Sequence, residues 1–185
     1  MHVKMLAGCA FVAAVVAGAA ASAGSQTTSN DAKIIASAMA AAPKPIAEHA
    51  TIVAMNKDGS LRTVRKGTNG VTCMPDDPAV PGPSSMCLDA NAMTWAGAWM
   101  AHKRPPNNVG FIYMLAGGTD ASNTDPFATA PAKGQRWIKT GPHVMVTGPA
   151  TAKMAGYPGG ANPDTTKPYT MWAGTPYAHL MIPVR

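Results

Sequence analysis

The chain has 185 residues, with 15 Lys and Arg against 9 Asp and Glu for a formal charge of +6, and three cysteines. That length suits one domain plus a short processed segment. The basic residues are scattered, with no stripe threaded by aromatics, so nucleic-acid binding has no footing.

Met1-His2-Val3-Lys4 is a basic start, Met5 to Ala21 is small and apolar, and Ala21-Ser22-Ala23 is an A-x-A cut. This is the pattern of a secretory signal peptide over residues 1–23, with cleavage expected after Ala23. The run is rich in Ala and Gly and falls short of the ~20 strongly apolar residues of a membrane span. No second such run follows, so no transmembrane segment is expected in the mature chain. The expected location is the periplasm or the extracellular medium.

Residues 24–30 are small and polar and read as a flexible start, and 31–185 as one domain. The spacing of Ile34, Ile35, Ala38 and Met39 predicts a short N-terminal helix over about 31–42, capped by Ser29 or Asn30 and ended by Pro43-Lys44-Pro45. A β-meander follows. It runs from 50–55 through the Asp58-Gly59 hairpin signal to 61–65, then turns at Thr68-Asn69-Gly70 into 71–73.

Cys73 and Cys87 are the two cysteines left after cleavage. In an exported chain an isolated pair reads as a disulfide. The segment between them carries Pro75, Pro78, Pro81 and Pro83 and cannot be regular structure.

Asp89 caps a second helix over about 89–103, stopped by Pro105-Pro106. Met93, Ala96, Gly97 and Met100 line one face, and Trp95, Trp99 and His102 the neighbouring one. Residues 109–116 are nearly all apolar and predict a buried strand. Two long loops, 117–135 and 149–168, flank a strand at His143-Val144-Met145-Val146-Thr147, and 169–174 and 178–184 close the sheet. The expected class is α+β, a mostly antiparallel sheet with a packed helix.

Several segments together resemble an uncharacterised family of bacterial secreted proteins. They are Gly67-Thr68-Asn69-Gly70, Cys73 to Cys87, Gly117 to Pro126, Gly141-Pro142-His143-Val144-Met145 and Ala173-Gly174-Thr175-Pro176-Tyr177. The resemblance spans most of the mature chain. It implies export and a single domain, and brings no activity with it.

Four constellations carry possible chemistry. His143-x-Met145 and His179-x-Met181 each put an imidazole and a thioether on one side of a strand, a donor set suited to copper. Core packing explains the same residues, since residues 24–185 hold eleven Met and only four Leu. The oxygen-rich loop with Asp120, Ser122, Asn123, Thr124 and Asp125 suits Ca²⁺, a carboxylate-bound ligand or simple Asx turns. His143 with Asp120 or Asp125, and Ser122 or Thr119 as nucleophile, would make a periplasmic hydrolase, although no G-x-S-x-G or H-E-x-x-H is present. Trp95 and Trp99, with Trp172 and Tyr177 elsewhere, could line a pocket. The best reading is an exported, non-catalytic binding protein for a small ligand or soft metal ion. Its site would include Asp120, Asn123, Asp125, His143, Trp95 and Trp99. A hydrolase and an envelope structural or partner-binding protein are the alternatives.

Overall fold

A computed structural model describes residues 29–151 and 156–184. The leader expected at 1–23 and most of the expected flexible start lie outside them. Helix α1 (Ser29–Met39) and the single turn α2 (Lys44–Ala47) lead into β1 (Thr51–Met55), β2 (Leu61–Arg65), β3 (Thr72–Met74) and β4 (Met86–Leu88). Helix α3 (Ala90–Met100) follows, then β5 (Gly110–Met114), β6 (Gly118–Asp120), β7 (Ile138–Thr140), β8 (His143–Thr147), β9 (Tyr169–Met171) and β10 (His179–Pro183). The α+β class holds. An eight-stranded sheet runs β2-β1-β3-β4-β5-β8-β10-β9, and β6 with β7 forms a separate ribbon. The chain returns from β2 to lay β3 on the far side of β1, which makes β1 and β3 the one parallel pair of the large sheet.

Alternation along the strands sorts side chains to the two faces of the sheet. On one face Leu88, Ile112, Met114, Met145, Met171 and Met181 pack under Ala92 and Trp95 of α3. On the other, Ile52, Cys73 and Cys87 pack under Ala38, Ala41 and Ala47 of the first two helices. The rest of that second face is left open at Phe111, which is 48% exposed. Helix α3 lies close on β5, and a Cβ at Gly110 would sit 2.4 Å from the backbone nitrogen of Ala92. Asp89 fixes that approach. Its carboxylate accepts from Ala92 N at 2.8 Å as a helix cap and from Phe111 N at 3.2 Å on β5.

The expected disulfide is present. Cys73 and Cys87 are direct cross-strand partners with Cα atoms 4.0 Å apart. The proline-rich segment is therefore a closed hairpin loop. Asp76 organises it, accepting from Ser84 N, Ser85 N and the Ser37 hydroxyl of α1 at 2.7–2.8 Å. Among the described residues no helix is long and apolar enough to cross a membrane.

Candidate functional site

The strands of the two histidine–methionine pairs are neighbours, as a shared metal site requires. Their register sets Met145 opposite Met181, and His143 opposite Pro183. His179 lies four residues from Pro183, so the backbones at the two histidines stand about 13 Å apart along the strand direction, on either side of the thioether pair. The imidazoles are still close enough that His143 adds to burial in lowering the pKa of His179. Met145 and Met181 belong to the core under α3, which accounts for much of the heavy use of methionine.

The histidines share a local device. His143 Nδ1 bonds to Gly141 O at 2.8 Å and His179 Nδ1 to Tyr177 O at 3.0 Å. A carbonyl only accepts, so Nδ1 carries the proton and Nε2 the lone pair. Among the described residues, neither buried Nε2 atom has a partner. Burial pushes His179 down to about 4 and lowers His143, against the opposing effect of the carbonyl bonds. His179 is enclosed edge-on by Trp95 and Trp172, at 5.2 and 4.9 Å between ring centroids. His143 sits under Gly118, beside Met114.

The site with room for a ligand lies across β6 from His143. A cleft of about 450 Å³ opens between the end of α3, the loop after β6, the proline-rich hairpin and the turn after β9. Two indoles packed against each other form one side of it, and both are held by their N–H groups. Trp99 donates to Pro126 O at 2.9 Å and Trp172 to Ser122 O at 3.0 Å. Their rings lie 5.0 Å apart. His102 stacks on Phe127 at 3.9 Å and extends the aromatic wall.

Two wall residues sit in left-handed backbone, Trp172 at φ 56° and His102 at φ 54°. For side chains of this size that is strain, which gathers at functional positions. His102 ends α3, with Lys103 N donating to Ala98 O and His102 N to Trp99 O. Glycine normally takes this place in a helix terminus; here the imidazole is carried into the cleft wall instead.

Asp120 supplies the cleft's electrostatics. Desolvation pushes its carboxyl up to about 6, and no donor among the described residues reaches it. Beside it the hydroxyl of Thr119, 5% exposed, has no partner among the described residues. A Cβ at Gly82 would come within 2.4 Å of that hydroxyl, so the hairpin can lie on β6 only with glycine there.

Of the residues the sequence nominated for a ligand, Asp120, Asp125 and Trp99 line this cleft, and Trp95, Asn123 and His143 do not. Trp95 is 3% exposed, packed in the core. Asn123 is 1% exposed, and its amide donates to Gly160 O and Thr170 O, tying the loop to β9. The hydrolase constellation is not assembled either. His143 touches no carboxylate through its ring nitrogens, and Ser122 Oγ accepts from Thr124 N and Asp125 N as a turn cap. Sequence reasoning missed Asp77, Phe127 and Trp137. The loop over 127–135 offered no periodic signal, and Asp77 sits in the hairpin read as purely structural.

A broader depression of about 860 Å³ lies on the other side of Trp137. Among the described residues none of its lining groups is a buried polar atom without a partner. Compared with protein-family models, with curated proteins and with solved structures, the chain matches none. The family resemblance therefore rests on the sequence segments that suggested it.

Proposed function

We propose that the protein is an exported, non-catalytic binding protein that holds a small organic ligand in the cleft between Trp99, Trp172 and Asp120. One observation carries this reading. One side of the cleft is made of indoles fixed through their N–H groups, and Asp120, which lines the same cleft, is desolvated. A desolvated carboxylate costs free energy in the empty protein and would recover it with a ligand. Export is supported by the leader pattern and fits the Cys73–Cys87 disulfide. The test is a thermal-shift screen of small organic molecules against the mature chain. Hits should raise Tm in the wild type and lose the effect in Trp99→Leu. Hits unaffected by that change would move the site away from the cleft.

A second reading has its own observation. His143 keeps Nδ1–H on a backbone carbonyl, the arrangement that orients a metal-bound imidazole, and its bare Nε2 lies near Met114. This favours a soft ion such as Cu(I) at His143 and Met114, with Met145 and Met181 as neighbours and His179 outside the site. A Cu(I) titration against a competing chelator should then show binding that is lost in Met114→Leu and kept in His179→Gln. Binding unchanged in Met114→Leu would exclude it.

A further inference from the structure

We propose that His179 and Met171 form a second soft-metal site, a twin of the one at His143 and Met114, and that it takes a monovalent ion such as Cu(I) or Ag(I). This goes beyond the soft-metal reading, which leaves His179 out. The sheet register carries it. Met114 is the direct cross-strand partner of His143, and Met171 is the direct cross-strand partner of His179. Met145 and Met181 are partners between these two pairs. Direct partners in an antiparallel sheet share a face, with Cβ atoms about 4.5–5.5 Å apart. The sheet therefore repeats one arrangement about the Met145–Met181 pair. Each copy has an imidazole, a thioether beside it on the next strand, and a thioether two residues on along its own strand.

The chemistry at His179 suits a ligand. The residue is 0% exposed, and Met171 and Met181 are each 1% exposed. Nδ1–H donates to Tyr177 O at 3.0 Å, and among the described residues no donor reaches the Nε2 lone pair. A buried acceptor without a donor costs free energy that a bound cation returns. The carbonyl bond also fixes the ring and its tautomer, as the outer partners of metal-bound imidazoles do. The donors select the ion. Thioether sulfur and imidazole nitrogen suit soft ions. All three donors are neutral, so a divalent ion would bring twice the uncompensated charge into the core. A hard ion needs converging oxygens, and no three His, Cys, Asp or Glu among the described residues group closely enough to hold a metal. The rival occupant is a buried water, which would accept from the Trp95 N–H, itself without a partner among the described residues, and donate to Nε2. It would leave Met171 idle.

The experiment is a Cu(I) titration of the mature protein against a competing chelator, with bound ions counted by native mass spectrometry. Two ions are expected on the wild type, and one on each of His179→Gln, Met171→Leu and Met114→Leu, with far-ultraviolet circular dichroism unchanged. Trp95 and Trp172 stand edge-on to His179, at 5.2 and 4.9 Å between ring centroids. Filling this site should therefore quench tryptophan fluorescence, and the quenching should be lost in His179→Gln and kept in Met114→Leu. A single ion that Met114→Leu removes and His179→Gln leaves in place overturns the second site and leaves the reading at His143 standing. A single ion with the reverse dependence supports the site at His179 and overturns the reading at His143. No ion bound overturns both and leaves the water in its place.

Discussion

Asp120 holds a carboxylate in a place that penalises its charge, and the cost is measurable. Its folded pKa of about 6 lies above the ordinary 3.8. The fold therefore binds this proton more tightly than the unfolded chain does. The benefit is complete below about pH 4 and is lost as pH rises through 6. Asp120→Asn should stabilise the empty protein at pH 7 by on the order of 1–3 kcal/mol, with the gain vanishing near pH 4. Urea unfolding at the two pH values measures it; a less stable variant at pH 7 would show that the carboxylate has a donor. His102 makes a different trade. His102→Gly relieves left-handed backbone strain of roughly 1 kcal/mol but removes the stack on Phe127. Stability should stay within about 1 kcal/mol of wild type, while Tm shifts given by cleft ligands shrink. Undiminished shifts would take His102 out of the binding wall. Asp120 was legible in the sequence because acidic and hydroxyl residues crowd a Gly-rich loop. The part played by His102 was not, because a left-handed helix terminus is written in backbone angles, and the sequence signalled the end of this helix only through Pro105-Pro106.

The cleft is only as firm as the hairpin that forms one wall, and two devices hold that hairpin. The Cys73–Cys87 bond joins neighbouring strands at its base. Replacing both cysteines by serine should cost about 3 kcal/mol for a loop of this length. Asp76 ties the loop to α1 through Ser37 and gathers two backbone N–H groups. Asp76→Ala leaves those donors unanswered and should cost about 1–3 kcal/mol. Hydrogen exchange should then quicken at Ser84 and Ser85 while β8 stays protected; uniform quickening would mean that the loop and the sheet open together. At this scale the periodic elements were legible. Helix α3, β2 and β8 fall where spacing and breakers put them. The misses share a cause. Turn α2 contains Pro45, which a helix tolerates in its first turn, so Pro43-Lys44-Pro45 read as a stop. Strands β4 and β6 have three residues each, too short for a period, and exist because β3 with β5 and β7 pair with them.

Acid stability depends on the whole molecule, because its buried ionisable groups pull in opposite directions. His143 and His179 are each 0% exposed, on strands that every core residue under α3 helps to bury. Their folded pKa values are lowered, His179 to about 4 from an ordinary 6.5. The stability they contribute is present above pH 6.5 and is lost as pH falls toward 4. For His179 alone that amounts to on the order of 2–3 kcal/mol. Asp120 works against it over the same interval, since its penalty above pH 6 fades as it takes up a proton. Asp76, whose backbone and hydroxyl bonds outweigh desolvation and lower its pKa, adds its loss only below about pH 4. Asp77, Asp125 and His102 share the cleft with Asp120, and Trp95 and Trp172 enclose His179. Two imidazoles against one carboxyl should make the wild type lose stability between pH 7 and 4.5. Asp120→Asn should lose more over that range, because the opposing contribution is gone, so the two unfolding curves converge as pH falls. His179→Gln should flatten the wild-type profile. A wild-type stability that holds level or rises on acidification would mean that the imidazoles are already charged in the fold. That would require an acceptor at Nε2, and with it the bare lone pair that favours a soft metal at His143 would disappear.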